Sequence, residues 1–207
     1  MSPAGVSPTL PLVVLGETKK SLRSAVTGYS VAADELVMVA NPAARWGGYG
    51  TIGNRYLRSM LSDVIGIIHA DTALSQETCD NLVAAASGGA VAGVVGCVDK
   101  IGNVWSRDVV APTRVSTLDS CAVFVSHRTA MGFGLRFDVE TFDAFHCCVE
   151  DFCLQASTQG VPVVVVPGWA LHPFPLDTDT QHWPPTEHKL YKDRLMKKWA
   201  GVSLGTT

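Results

Sequence analysis

Short apolar runs that end at polar residues recur along the chain, and they predict the strands of a sheet. The runs lie at residues 12–15, 35–40, 64–68, 91–95, 121–125 and 161–166. Apolar runs of about four to eight residues, bounded by turn residues, are typical of strands buried on both faces. The run at 64–68 is the most informative, because it leads directly into a polar tip, His69, Ala70 and Asp71.

Amphipathic stretches between these runs predict helices. Thr18 begins one helix that extends to about Val26, and Ser75 caps another that ends at Gly88. Further helical patterns cover residues 54–61, 139–160 and 187–200. Strand and helix alternate through the first half, which predicts a parallel sheet covered by helices on both faces. From residue 101 the pattern changes to short pieces that suggest antiparallel pairing.

Composition and charge place the chain among ordered globular proteins. The 207 residues are 47% hydrophobic and 17% charged, and the formal net charge is −3. A broad nucleic-acid surface would require a basic chain, so we expect no nucleic-acid partner. We also expect no membrane span, because no apolar run approaches the roughly 20 residues that one requires. Met1 is not followed by the pattern of a secretory signal.

Six cysteines are present, and none forms the C-x-x-C spacing of a metal or redox motif. Several lie in strongly apolar stretches. We therefore expect buried, reduced thiols and a cytoplasmic location.

Asp71 is the first candidate for chemistry. In open α/β sheets, ligands bind at the carboxyl ends of the strands, and Asp71 follows such an end. A carboxylate there, with His69 two residues before it, suits a hard divalent cation bound to the phosphates of a nucleotide. The alternative is a polar strand end or a helix cap with no ligand.

Three segments, in this order, resemble the nucleotide-sugar glycosyltransferases of the A-type (GT-A) fold, especially the inverting family-two type. Residues 50–54, with the following helix and strand into Asp71, resemble the family's run from a glycine loop and an asparagine to its Asp-x-Asp signature. Residues 118–128 are similar to the strand and basic residue before the acceptor loop. Residues 135–154 resemble the segment whose Glu-Asp pair, here Glu150 and Asp151, opens the catalytic helix. His69 departs from the family, because many relatives carry the first aspartate there.

The resemblance implies a GT-A, Rossmann-like α/β fold with a mostly parallel central sheet, flanking helices and a small antiparallel part. It implies one domain over residues 1–207: a nucleotide-binding half to about residue 100, an acceptor and catalytic half at about 101–175, and a tail and helix at 176–207. The implied activity is a metal-dependent, inverting glycosyl transfer of the hexosyltransferase type. A nucleoside-diphosphate sugar, with UDP the expected nucleotide, is the implied donor, and a glycan or other sugar-bearing molecule is the acceptor.

The resemblance also implies roles for four residues around the reacting bond. Asp71 and His172 would hold Mn²⁺ or Mg²⁺ against the diphosphate, whose developing charge the cation neutralises. Asp151 would be the general base that takes the proton of the acceptor hydroxyl. Neighbouring helical residues point in different directions, so only one of Glu150 and Asp151 can meet the acceptor. The alternative for Asp151 is an acidic residue that stabilises a helix start.

The nucleotide-sugar would lie against the ends of the first strands. Its candidate contacts are Gly16, Glu17, Asn41, Asn54, His69, Ala70 and Asp119. Asn54 is equally compatible with holding its loop or capping a helix, and Asp119 with an ordinary loop aspartate. Trp105 is the candidate for stacking against an acceptor sugar, although most tryptophans only pack in a core.

Two other functions remain open from the sequence. A nucleotidyltransferase would share the sheet and also need Asp71, but it should carry a longer basic glycine-rich loop after the first strand than residues 16–20 provide. A nucleotide-sugar or carbohydrate-binding module without turnover is favoured by the missing first aspartate.

Overall fold

The structure is a computed structural model, and it describes residues 11–16, 35–40, 48–59, 63–69, 72–98, 102–143, 146–171 and 185–202. The helix predicted from Thr18 to Val26 lies outside these residues. Five helices are described: α1 (Gly48–Arg58), α2 (Gln76–Ser87), α3 (His127–Gly132), α4 (Cys148–Thr158) and α5 (Pro185–Lys198). A 3-10 turn covers Ser106–Asp108.

Twelve short strands accompany these helices in the described part of the chain. The first six are β1 (Pro11–Gly16), β2 (Glu35–Ala40), β3 (Val64–His69), β4 (Ala73–Leu74), β5 (Val91–Gly93) and β6 (Val95–Val98). The other six are β7 (Gly102–Trp105), β8 (Thr113–Arg114), β9 (Thr117–Leu118), β10 (Ala122–Ser126), β11 (Val163–Val165) and β12 (Ala170–Leu171).

The central sheet has seven strands among the described residues, in the order β2-β1-β3-β10-β5-β11-β8. β1 pairs in parallel with β2 and β3, and β11 pairs in parallel with β5. β10 lies between β3 and β5 and runs antiparallel to both. A second sheet, β7-β6-β9, is antiparallel. The predicted mixture of a central sheet, flanking helices and a small antiparallel part is therefore confirmed.

The strands β3, β5, β10 and β11 contribute side chains to two cores on opposite faces of the sheet. Ile65, Ile67 and Val123 lie in one core, whereas Ile68 and Phe124 lie in the other. The first core also contains buried residues of α1, α3, α4 and α5, and the second contains those of α2. Helices therefore cover both faces, as the continuous apolar strands predict. No helix in the described ranges combines the length and apolar character needed to cross a bilayer.

The cap of α2 follows the sequence closely. The Ser75 hydroxyl accepts a hydrogen bond from the Thr78 N–H, and the helix ends at Ser87, before Gly88 and Gly89. This local signal is confirmed because a serine cap stabilises the helix start whatever its tertiary surroundings are.

α1 begins earlier than predicted, inside the glycine-rich stretch. Helix propensity argues against glycines in a first turn, but packing overrides it here. A Cβ added at Gly50 would lie 3.0 Å from Phe137 Cβ, and one added at Gly53 would lie 2.4 Å from Phe137 Cε2. The two glycines therefore provide the space in which the buried Phe137 ring lies against the helix.

The helix predicted at 139–160 is shortened to α4, which begins at Cys148. The Asp138 carboxylate instead accepts hydrogen bonds from the N–H groups of Glu140 and Thr141, at 3.2 and 3.0 Å, and so stabilises a turn. Cys147 has a φ of 61°, a left-handed conformation that a right-handed helix cannot include. The predicted strand at 91–95 is likewise divided, because β5 belongs to the central sheet and β6 to the second sheet.

The contact between α1 and Phe137 gives a stability prediction. Gly53→Ala should lower the free energy of unfolding by about 1–3 kcal/mol, because it overpacks a filled core. The Phe137 ring cannot move aside easily, since it is stacked on Phe152 with centroids 4.6 Å apart. Urea unfolding at neutral pH measures the change.

Gly132→Ala is the matched control. Gly132 is also helical, and an added Cβ there meets nothing within 4 Å. The Gly132→Ala variant gains the same helix propensity without the clash, so its free energy of unfolding should not fall. Equal stabilities for the two variants would contradict the packing described for Phe137.

Candidate functional site

The carboxyl ends of the parallel strands meet at one edge of the central sheet. In the register, Gly16 is paired with Ala40, and Leu15 is paired with His69. The backbone of Gly16 therefore lies at the edge of the sheet that the carboxyl ends of these strands form. Glu17 and Asn41, which follow the first two strands, lie outside the described residues.

Backbone hydrogen bonds link this edge to the residues that precede the antiparallel strand β10. The His69 N–H donates to the Cys121 carbonyl at 3.0 Å, and the Asp119 N–H donates to the Val95 carbonyl at 2.9 Å. His69, at the end of β3, is thus hydrogen-bonded to Cys121, two residues after Asp119, which lies in the turn between β9 and β10. The structure brings together these two residues, which the sequence separates by 50 positions.

The predicted metal ligands, Asp71 and His172, and the neighbouring Ala70 lie outside the described residues. The residues that flank them are described. The Thr72 N–H donates to the His69 carbonyl at 3.0 Å, across the positions of Ala70 and Asp71. β12 pairs with β4 so that Leu171 is opposite Ala73. The residue before His172 therefore lies across from the second residue after Asp71.

His69 is held by an aromatic residue that the sequence did not single out. The rings of Tyr49 and His69 are 5.9 Å apart at 67°, an edge-to-face contact, and Tyr49 also contacts Phe137. Tyr49 has no exposed surface. Burial, with smaller contributions from the neighbouring Cys148, Cys121 and Asp119, raises the pKa of Tyr49 well above its ordinary value. The phenol therefore stays protonated beside the strand end.

Asp119 and Asn54 use side-chain atoms to fix backbone. Asp119 Oδ1 accepts the Cys121 N–H at 2.8 Å, which forms a tight turn at the start of β10. Asn54 Nδ2 donates to the Phe137 carbonyl at 2.8 Å, and Asn54 Oδ1 accepts the Phe137 N–H at 2.9 Å. Both ends of the Asn54 amide thus hold the segment around Phe137, which is 83 positions away in the chain and is not the glycine-rich loop beside Asn54.

Trp105 is half-buried against the core that contains α2, and the Arg107 guanidinium lies 5.1 Å from its ring centroid. Trp169, a residue the sequence left aside, is more accessible, with 54% of its surface exposed. Its carbonyl accepts the Ser75 N–H at 3.1 Å and the Thr78 hydroxyl at 2.8 Å, which fixes its backbone.

Glu150 and Asp151 both lie in the first turn of α4, as predicted, but their surroundings differ. Glu150 is half-buried, whereas the Asp151 side chain has no exposed surface. Asp151 Oδ1 accepts hydrogen bonds from Lys198 Nζ and Trp199 Nε1, each at 2.8 Å. Asp151 Oδ2 accepts the Gln155 amide at 2.7 Å. The carboxylate is therefore enclosed by its own helix and by the end of α5.

Lys198 joins Asp151 to a second carboxylate, Asp138, whose Oδ2 is also 2.8 Å away. Burial disfavours the ammonium, yet its hydrogen bonds to the two carboxylates outweigh this effect and raise the pKa of Lys198. Partial burial of Asp138 is likewise outweighed, here by hydrogen bonds from Lys198 and Thr141, which hold the pKa of Asp138 well below its usual range. Asp138 and Lys198 are therefore both charged at neutral pH.

Sequence reasoning missed Tyr49, Asp138, Lys198 and Trp199 because their partners are distant in sequence. Trp199 lies 48 positions after Asp151, and Lys198 lies 60 positions after Asp138, with no local pattern to connect them. The only available signal was the amphipathic terminal helix, whose apolar face needs a partner.

The six cysteines are buried and free, as predicted. Burial raises the pKa of Cys79 and of Cys147 to about 12 in each case. At neutral pH these two side chains are thiols, which are poor nucleophiles and poor metal ligands. Within the residues that the structure describes, no group of three or more histidine, cysteine or acidic side chains is arranged to hold a metal ion. Asp71 and His172 lie outside these described residues.

The fold is that of known glycosyltransferases. GalNAc-T7, solved with UDP, GalNAc and Mn²⁺, superposes with a TM-score of 0.60 at 12% identity, over 91% of this chain and 48% of that chain. S. aureus TarS matches with a TM-score of 0.52 at 12% identity, over 77% of this chain and 35% of that chain. TarS 1–349 in complex with UDP matches with the same TM-score and identity, over 91% and 65%.

These matches confirm the predicted GT-A fold. The chain spans less than two-thirds of the length of each of these structures. No protein-family model matches the chain, and no curated protein matches it. The likeness is therefore one of fold, at low sequence identity.

The lowered pKa of Asp138 gives a prediction with a defined sign. A carboxylate whose folded pKa lies below its unfolded value, near 4, stabilises the fold above that value. The stabilisation is lost as the pH falls through the folded pKa. Asp138→Asn should therefore lower the free energy of unfolding by about 1–2 kcal/mol at pH 7, where a charge-assisted hydrogen bond is lost.

Urea unfolding of wild type and Asp138→Asn between pH 7 and pH 2 measures this difference. The two curves should begin to converge below about pH 4, where the unfolded wild-type chain binds a proton at Asp138 that the folded chain does not yet bind. Glu140→Gln is the control, because Glu140 is exposed and lies two residues away. A difference between wild type and Asp138→Asn that stays constant to pH 2 would contradict the assignment.

Proposed function

We propose that this chain carries a metal-dependent, inverting glycosyltransferase that uses a UDP-sugar donor and a sugar-bearing acceptor. The observation that carries the proposal is the pairing of Leu171 with Ala73 in a chain of GT-A fold. This pairing supports a shared role for Asp71 and His172, because each is within two positions of a paired residue. A carboxylate and an imidazole are compatible with Mn²⁺, and a carboxylate also with Mg²⁺.

The reaction would place the donor diphosphate at the strand edge beyond β3. A divalent cation held by Asp71 and His172 would neutralise the charge that gathers on the leaving diphosphate. Gly16, Glu17, Asn41 and Ala70 are proposed to line the nucleotide. His69 and Asp119 are proposed to bind its ribose or phosphate groups.

Asp151 is proposed as the general base that receives the proton of the acceptor hydroxyl as this attacks the anomeric carbon. Its place in the first turn of α4 supports this role. Asn54 supports the site indirectly, since it holds the segment around Phe137 that leads to Asp138. Trp105 remains the proposed acceptor contact, and the exposed ring of Trp169 is a second one.

The enclosure of Asp151 is the observation that favours a second candidate, a nucleotide-sugar-binding module without turnover. Such a module would bind UDP and Mn²⁺ through the same strand edge. It would then use Asp151 only to anchor α5. The two candidates differ in one measurable property, the release of UDP from a bound donor.

The metal-binding role of Asp71 is tested by calorimetric titration of the protein with UDP, once in the presence of Mn²⁺ and once in the presence of EDTA. We expect Mn²⁺-dependent binding in the wild type, weakened at least about tenfold by Asp71→Asn or His172→Gln, because a metal site is lost. Asp108→Asn is the control, an exposed carboxylate on the 3-10 turn. Unchanged Mn²⁺-dependent affinity in Asp71→Asn would remove the basis of the proposal.

The base is tested by UDP release from UDP-GalNAc and UDP-GlcNAc in the presence of Mn²⁺. Asp151→Asn should keep UDP binding and lose turnover by about a hundredfold or more, the usual effect of removing a general base. Binding of these donors by the wild type, with no release of UDP under any condition, would support the binding module instead.

A further inference from the structure

The face of α5 that packs against residues 138–151 is held mainly by polar contacts. The Tyr191 hydroxyl donates to Asp143 Oδ1 at 2.6 Å. Arg194 Nη1 donates to the same oxygen at 3.0 Å and to the Thr141 carbonyl at 2.9 Å. Lys198 then contacts Asp138 and Asp151. These contacts recur at positions three or four apart, so they form one stripe along the helix.

A further contact lies towards the start of the same stripe. The rings of His188 and His146 are 5.2 Å apart, nearly perpendicular to one another. α5 is therefore attached, from His188 to the residue after its end, to the segment that contains both Asp138 and the proposed base.

The apolar attachment of α5 is small by comparison. Tyr191 and Leu195 are its buried apolar residues in the described set, whereas Leu190 and Met196 are about half exposed. In α4, by contrast, seven of eleven residues are buried. A helix with little buried apolar surface opens locally at a lower free energy than the core does.

The closed position of α5 is incompatible with general-base catalysis by Asp151. A base must come within about 2.6–3.2 Å of the hydroxyl whose proton it takes. Both Asp151 oxygens are instead occupied by Lys198, Trp199 and Gln155, and the side chain has no exposed surface. Two of these three donors leave together if the end of α5 moves.

We propose that α5 and Trp199 form a gate over Asp151, and that the acceptor binds a form in which Lys198 and Trp199 have released this carboxylate. The inference rests on the proposed function, since it concerns how the base becomes accessible. In the closed form, the UDP-sugar can bind at the strand edge while Lys198 and Trp199 cover Asp151. Opening exposes Asp151, and an acceptor hydroxyl takes the place of the hydrogen bonds from Lys198 and Trp199.

The reaction used to test the gate is hydrolysis of the UDP-sugar. The oxygen of water attacks the anomeric carbon, its proton passes to Asp151, and the bond to the diphosphate oxygen breaks to release UDP. The assay uses UDP-GalNAc or UDP-GlcNAc, whichever shows Mn²⁺-dependent binding to the full chain.

Trp199→Phe and Lys198→Met each remove one hydrogen-bond donor to Asp151. Each variant should therefore raise the rate of UDP release at a saturating concentration of the UDP-sugar. We expect an increase of about fivefold, the shift that removing one ordinary hydrogen bond gives a two-state equilibrium. Lys197→Met is the matched control, an exposed lysine on the same turn. Its rate should equal that of the wild type. Adding Asp151→Asn to Trp199→Phe should abolish the gain.

Unchanged or lower UDP release in Trp199→Phe would overturn the gate, as would a gain that persists when Asp151 is replaced. Because Lys198→Met leaves a buried carboxylate with one donor fewer, its folding is checked by circular dichroism. Should Lys198→Met unfold, UDP release by Trp199→Phe and hydrogen exchange of the wild type decide whether the gate exists.

Hydrogen exchange of the wild-type chain provides the second measurement. Amides of α5 should exchange faster than those of α4, and Trp199→Phe should accelerate exchange in α5 alone. Equal protection of the two helices would show that they open only by global unfolding, and would overturn the gate. A failure of the proposed function is distinguishable from either result, because the wild type would then either show no Mn²⁺-dependent binding of UDP or bind the UDP-sugar and release no UDP. A failure of the gate alone leaves both the binding and the UDP release of the wild type intact.

Discussion

The short pairing between β4 and β12 is the constraint on which the proposed site depends. It joins the segment after the third strand of the sheet to the segment after β11, through Leu74 and Ala170 and through Ala73 and Leu171. These residues are nearly one hundred positions apart in the chain. Because a backbone pairing fixes register, it limits where the residues next to it in sequence can lie. A carboxylate and an imidazole from distant parts of the chain can act together only under such a limit.

The second organising feature is the interaction of one lysine with two carboxylates. Lys198 connects Asp138, at the start of a turn, to Asp151, at the start of α4. Asp151 is fully buried, so removal of Lys198 would leave a buried carboxylate with one hydrogen-bond donor fewer, and the three groups therefore form a unit rather than independent contacts. The same unit stabilises α5 and masks the proposed base. The contacts that stabilise α5 therefore also keep Asp151 inaccessible, which is the physical basis of the proposed gate.

Much of the fold could be predicted from the sequence, and the errors have identifiable causes. The strand into His69, the capped helix after Ser75 and the terminal helix are confirmed, because apolar periodicity and a hydroxyl cap act over a few residues. The predicted start of α1 was wrong because the first turns of the helix pack against Phe137, more than eighty positions away, and Gly50 and Gly53 leave room for its side chain. The helix expected from residue 139 was too long, because Cys147 has a left-handed backbone conformation, with a φ of 61°, that a right-handed helix cannot include.

The sequence by itself determined the buried strands, the polar strand tip, the acidic pair at the start of α4 and the resemblance to the GT-A fold. These are local properties, set by the side chains of neighbouring residues. Only the tertiary structure decided that Asn54 binds the backbone of Phe137, that β10 separates β3 from β5, and that Lys198 and Trp199 enclose Asp151. Each of these depends on a hydrogen bond between groups far apart in the chain, and a buried polar group must find such a partner wherever the fold provides one.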